Sequence, residues 1–219
     1  MYKDRDRFII FDIDGTLYKE NHEIITARRM AGYKHLETDI KMSFEEYDKL
    51  STMYTHMYGL HYKGFLKDFP ISNNLYKGMD NVNEDMTSLL SSNDKLIDFL
   101  REITGKGYQR QNNIPIFCFT NTNSKQSEHV LDVLKLTPYI DTLFCVGYKK
   151  NKEVICKPSV EAFEFVNQVI KKSDLTKILF FDDNIKNIES AKKVGWIGVL
   201  VNDADNIINI VKKEIKKHF

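Results

Sequence analysis

The chain has 219 residues, enough for one buried core and an inserted smaller unit. Its hydrophobic fraction of 42% and charged fraction of 29% are those of a soluble globular protein. Lys and Arg number 32 against 31 Asp and Glu, a net charge of +1, which leaves no polyanion footprint and sets nucleic acid aside as a partner. No apolar run approaches the roughly 18 residues of a membrane span, and the first residues lack a signal-peptide apolar region. The three cysteines, Cys118, Cys145 and Cys156, form no CxxC pair and sit in or near apolar runs. They read as buried thiols of a cytoplasmic protein. The six histidines show no HxH or HxxxH spacing of a zinc site.

In chain order, residues 8–11 form a short apolar run that predicts one buried strand. Asp12, Asp14, Gly15 and Thr16 follow it directly. From residue 18 to 90 no convincing strand is found. Ile24, Ile25, Ala27, Arg28, Ala31 and Leu36 suggest a first helix. Ser43-Phe44-Glu45-Glu46 has the form of a capping box, opening a second helix to about residue 58, with Gly59 to end it. A third helical piece is expected over 62–69, stopped by Pro70, and 71–83 reads as loop. Leu89, Leu90, Leu96, Ile97, Leu100 and Ile103 fit one or two helices, and 105–113 reads as a polar surface loop, longer than a connection requires. Beyond it strands are expected at 114–119, 143–146, 178–181 and 197–201. Helices are expected at 124–136, 160–170, 185–194 and 207–215.

Strands alternating with helices at this spacing predict an α/β fold, a Rossmann-like parallel sheet with helices on both faces. The strand-free stretch after the first strand is then an inserted helical cap subdomain, residues 18–90, on a core of 1–17 and 91–219. A cap emerging beside Asp12 and Asp14 can close over the strand end and exclude water.

Strand ends in this reading deliver chemistry to one sheet edge, where open α/β sheets bind ligands. The first gives Asp12 and Asp14. The second ends in Thr120-Asn121-Thr122-Asn123. Cys156-Lys157-Pro158 precedes a helix, and the 178–181 strand ends in Asp182-Asp183-Asn184. Two acidic clusters suit Mg²⁺, which takes oxygen ligands and keeps several waters. The lysine, hydroxyl and amides suit a phosphoryl group. Each piece also has a plain structural reading: Thr120-Asn121 as a helix cap, Lys157 as a solvated lysine, Asp182-Asp183-Asn184 as a capping turn.

Taken together, Asp12-Ile13-Asp14-Gly15-Thr16, Phe119-Thr120-Asn121, Lys157-Pro158 and Phe181-Asp182-Asp183-Asn184 resemble the four motifs of the haloacid dehalogenase-like superfamily of phosphohydrolases. The segment Tyr58-Gly59-Leu60-His61-Tyr62-Lys63-Gly64 adds a resemblance to its pyrimidine 5′-nucleotidase branch. The resemblance implies that Asp12 is the nucleophile, Asp14 the general acid and base, and Lys157 the charge partner of both nucleophile and phosphoryl group. It implies Mg²⁺ held by Asp12, Asp14 (through its backbone carbonyl) and Asp183, with Asp182 left between ligand and supporting residue. Gly15, Thr120 and Asn121 would receive the phosphate. Asn187 stands where several members carry Asp, so the acidic ligation falls to Asp182 and Asp183.

The expected substrate is a small phosphate ester, with nucleoside 5′-monophosphates and pyrimidines favoured, acted on by a monomer or homodimer. Tyr54, Tyr58 and Tyr62 could stack on a base, with His61 or Lys63 at its polar edge, although aromatic residues at helical spacing usually pack a core. A phosphosugar phosphatase or phosphomutase would use the same catalytic residues. A non-catalytic phosphate-binding protein sits poorly with an intact acidic and basic set.

Overall fold

The computed structural model describes residues 5–71, 82–105, 114–147 and 153–219. Five strands form one parallel sheet in the order β3-β2-β1-β4-β5. They are β1 (Arg7–Phe11), β2 (Ile116–Phe119), β3 (Thr142–Phe144), β4 (Lys177–Asp182) and β5 (Ile197–Leu200). β1 is central, pairing Ile9 with Ile116 on one side and with Leu179 on the other. The sheet therefore winds outward in both directions from β1, and the point where it reverses lies beside the residues that follow β1.

The apolar runs are continuous because both faces are covered. Phe8 and Ile10 point into one layer with Phe117, Phe163, Phe180 and Trp196. Ile9 and Phe11 point into the other with Leu100, Leu131, Phe181 and Val211. This is the two-residue alternation of a strand. The first layer is closed by α7 (Val160–Ile170) and α8 (Ile185–Lys193). The second is closed by α5 (Asp94–Thr104), α6 (Ser124–Val133) and α9 (Ile207–His218).

Between β1 and α5 the chain makes a helical insertion with a small core of its own. α1 (His22–Ile40), α2 (Phe44–Tyr58) and α3 (His61–Asp68) bury Leu36, Ile40, Tyr47, Tyr54 and Phe65 together. The capping box forms: Ser43 N–H donates to Glu46 Oε2 at 2.8 Å and Glu46 N–H to Ser43 Oγ at 3.3 Å. Gly59 caps α2 with φ 76°, a left-handed conformation that costs glycine little. A short α4 (Glu84–Thr87) returns the chain toward the sheet.

Some expectations shift. Leu89 and Leu90 lie outside helices, because Asn93 starts a new helix by accepting from Leu96 N–H at 3.3 Å. The helix expected to reach 136 ends at Val133, and a 3₁₀ turn containing Pro138 follows. Most of the loop expected over 71–83, and residues 106–113 of the next, lie outside the described residues. Among the described residues no helix is long and apolar enough to cross a membrane.

Candidate active site

The carboxyl ends of β1, β2 and β4 and the start of the α7 segment converge on a cavity of about 240 Å³. Asp12, Asp14, Thr120, Asn121, Lys157 and Asp183 all line it. At its floor Lys157, 1% exposed, lies 2.8 Å from Asp12 Oδ1 and 2.7 Å from Asp182 Oδ2. Burial opposes the lysine charge, but Asp12 and Asp182 hold its pKa above the usual value. The ammonium also lies 5.2 Å from the Phe119 ring centroid and 5.5 Å from that of Phe180.

Asp182 is fully buried and spoken for. Besides Lys157 it accepts from Asn187 Nδ2 at 2.9 and 3.0 Å and from the Asn184 N–H at 2.8 Å. Asn187 thus supplies the donor that another carboxylate could not. Asp183 follows directly after the end of β4 and is exposed. One carboxylate oxygen from each of Asp12, Asp182 and Asp183 lies within 4.8 Å of the others. Burial, then Asp182 and Asp14 against the pull of Lys157, pushes the Asp12 carboxyl well above the usual range. Desolvation, then Asp182 and Glu20, raises Asp183 to about 6. Gly15 makes room for this cluster: a Cβ there would fall 2.5 Å from Asp183 Oδ2. Hard oxygen donors crowded at this separation fit a small divalent cation such as Mg²⁺.

Asp14 turns away from this trio. Its Oδ1 accepts from the Tyr18 hydroxyl, and its Oδ2 from Thr122 Oγ1 at 2.9 Å. Arg28, from α1, lies 3.6 Å from Asp14 Oδ1 and 2.5 Å from Glu20. Burial works against the Arg28 charge, yet Asp14 and Glu20 keep its pKa above the ordinary value.

The Thr120 hydroxyl accepts from the Thr122 N–H at 3.1 Å, which leaves its own proton available to the cavity. The Asn121 side chain ties three segments together. Its Nδ2 donates to the carbonyls of Lys157 at 2.8 Å and Gly59 at 2.9 Å, and its Oδ1 accepts from the Lys157 N–H at 2.9 Å. A Cβ on Gly59 would fall 2.1 Å from the Lys157 carbonyl oxygen. The α2–α3 turn therefore sits directly on the segment that holds the lysine.

A family description of haloacid dehalogenase-like hydrolases matches residues 7–195. The chain belongs to that family. Among curated relatives of this hydrolase, phosphate metabolism protein 8 of Saccharomyces cerevisiae is 25% identical over 216 residues, covering 96% of this chain and 67% of the yeast protein. Among solved structures, CbbY from Rhodobacter sphaeroides in complex with phosphate aligns with a TM-score of 0.58 at 16% identity, covering 89% of this chain and 85% of the other. An enzyme of the same family from Bacteroides thetaiotaomicron aligns at 0.55 and 14%, covering 89% and 92%. At these identities the structural likeness speaks to the fold of the hydrolase.

Of the residues singled out in the insertion, His61 lines the cavity, and Tyr58 and Lys63 are not among its lining residues. Tyr58 packs on Tyr54 at 6.1 Å between centroids and carries Lys67 over its ring. Tyr54 is in the insertion's core, its hydroxyl donating to Asp68 at 2.6 Å. The Lys63 charge acts on Cys156, partly offsetting the rise that burial gives the thiol pKa. Residues to which sequence reasoning gave no place in the site also line the cavity: Glu20, Arg28 and Arg29. The adjacent Arg28-Arg29 pair on a helix leaving the Asp14 turn was the available signal.

Proposed function

We propose that this hydrolase is a Mg²⁺-dependent phosphomonoesterase acting through an aspartyl phosphate on Asp12. Nucleoside 5′-monophosphates, pyrimidines preferred, are the favoured substrates. In this reading residues 18–90 cap a core of 1–17 and 91–219. The observation that carries it is the buried Asp12–Lys157 pair facing Asp183 across one cavity.

Asp12 attacks phosphorus, and the bond from phosphorus to the ester oxygen breaks as the acyl phosphate forms. Asp14, fixed by Tyr18 and Thr122, gives its proton to the departing oxygen. It then takes a proton from the water that opens the acyl phosphate, releasing inorganic phosphate and restoring Asp12. Lys157 balances charge on Asp12 and on the phosphoryl oxygens, and Asp182 with Asn187 holds it in line. The Thr120 hydroxyl and the Asn121 backbone amide receive phosphate oxygens. Asp12, Asp183 and the Asp14 backbone carbonyl would hold Mg²⁺, which when bound offsets the negative charge gathered at the phosphoryl group. Asp182, already saturated by donors, supports the lysine. The cysteines are free, with Cys118 and Cys156 buried, which favours a reducing compartment such as the cytoplasm.

A panel of phosphate esters with Mg²⁺ tests this. Phosphate release from UMP or CMP well above that from sugar phosphates is expected. Turnover of sugar phosphates alone would overturn the nucleotide preference, and failure to cleave even an aryl phosphate would overturn the esterase reading.

A further inference from the structure

The helical insertion brings two polar groups to the same cavity that have no hydrogen-bond partner. Arg29 Nη1 and His61 Nε2 are both buried, and both residues line the cavity that holds Asp12. Buried polar atoms are nearly always satisfied, and a specific exception asks for an explanation. Their placement is built: at Gly32 on α1 a Cβ would fall 2.3 Å from the Tyr47 hydroxyl of α2 and, on α3, 3.1 Å from the Tyr62 hydroxyl and 3.5 Å from His61 Nε2. The Arg29 side chain is 16% exposed, and its Nε lies 3.9 Å from Asp48 on α2.

We infer that Arg29 and His61 grip a hydroxyl of the substrate's leaving group, the sugar next to the phosphate. The inference rests on the phosphomonoesterase reading and names what that site recognises. Burial, reinforced by Arg29 and Arg28, lowers the His61 pKa to about 3, so the ring is neutral. A second anionic group would pair with the arginine but would favour a charged imidazole. A hydroxyl suits both residues: it accepts from the guanidinium, and it accepts from or donates to the neutral ring, whichever nitrogen carries the proton. Position excludes a more distant group. The two residues share the cavity with the nucleophile, and in a nucleotide or phosphosugar the sugar is what lies next to the ester oxygen. A further space of about 120 Å³ between Gly32, Tyr62 and Met86 shares His61 with this cavity and is left for whatever the sugar carries.

The test compares kcat/KM of the wild type for UMP against 2′,3′-dideoxyuridine 5′-monophosphate, and for ribose 5-phosphate against 2-deoxyribose 5-phosphate. The deoxygenated member of a cleaved pair should be poorer by at least about tenfold, because it leaves buried donors unpaired. Arg29→Met and His61→Leu should narrow that ratio to within about twofold, while Arg29→Lys, which keeps a donor, retains part of it. The ratio is internal to each variant, so partial misfolding does not imitate the result. Equal handling of both members by the wild type, or a ratio that survives both substitutions, overturns the inference. Cleavage of ribose 5-phosphate without UMP would break the nucleotide preference and leave the sugar contact to stand or fall on the second pair. Cleavage of an aryl phosphate alone refutes the sugar contact but not the esterase. No cleavage of any ester removes both.

Discussion

The two sides of the cavity are built on opposite terms. On the sheet side the charged groups answer one another: Lys157 bridges Asp12 and Asp182, and Asn187 and Asn184 complete Asp182. On the insertion side Arg28 pairs with Asp14 and Glu20, but Arg29 Nη1 and His61 Nε2, on residues that line the same space, are buried with no hydrogen-bond partner. The sheet side is organised before any ligand arrives, as chemistry on a phosphoryl group requires. At Arg29 and His61 the insertion side is organised in position but not in bonding, as recognition of a particular leaving group requires. Changes on the first side should strike turnover of every ester, and changes on the second should sort one ester from another.

The sharpest break comes from Asp12→Asn, which removes the proposed nucleophile and should lower ester turnover by at least about a thousandfold. Steady-state phosphate release checks it. Next is Lys157→Met. It strands Asp12 and Asp182 as buried carboxylates without their cation, so turnover should collapse and stability should fall by about 3–5 kcal/mol in urea unfolding. Asn187→Asp replaces the donor to Asp182 with a like charge, and a loss of about 1–3 kcal/mol is expected by the same measurement.

The acidic and basic motif residues were legible because a parallel sheet puts its strand ends on one edge, and an apolar run followed by Asp marks such an end. The division of labour between Asp182 and Asp183 was not. Alternation in a strand sends adjacent side chains to opposite faces, but which of two identical residues faces Lys157 depends on the register of β4 against β1. Asn187 read as a gap in the acidic pattern, whereas its side chain donates to both oxygens of the buried Asp182. Asn121 read as a phosphate residue through its backbone, while its side chain joins Lys157 to Gly59. Arg29 and His61 come to one cavity only through the packing of α1, α2 and α3 around a shared core, a long-range arrangement with no local pattern. Tyr54 illustrates the reverse: an aromatic at helical spacing that packs the insertion's core.

Smaller effects sharpen the contrast within the insertion. The folded chain resists protonating His61 until about pH 3, against an ordinary value of 6.5. The unfolded chain therefore binds one more proton between those values, and stability should fall as pH drops from 6.5 toward 3. His61→Leu should flatten that part of the stability curve, read by denaturant midpoints across the range. Smallest is Ser43→Ala, which opens the capping box of α2 and should cost about 1 kcal/mol, as thermal unfolding would report.

The destination of the phosphoryl group decides most directly for or against the aspartyl phosphate on Asp12. Acid quench of wild-type protein turning over a ³²P-labelled ester with Mg²⁺, followed by peptide mapping, should find the label as an acyl phosphate on Asp12. Label on another residue, or rapid turnover with no covalent label at any quench time, would contradict it.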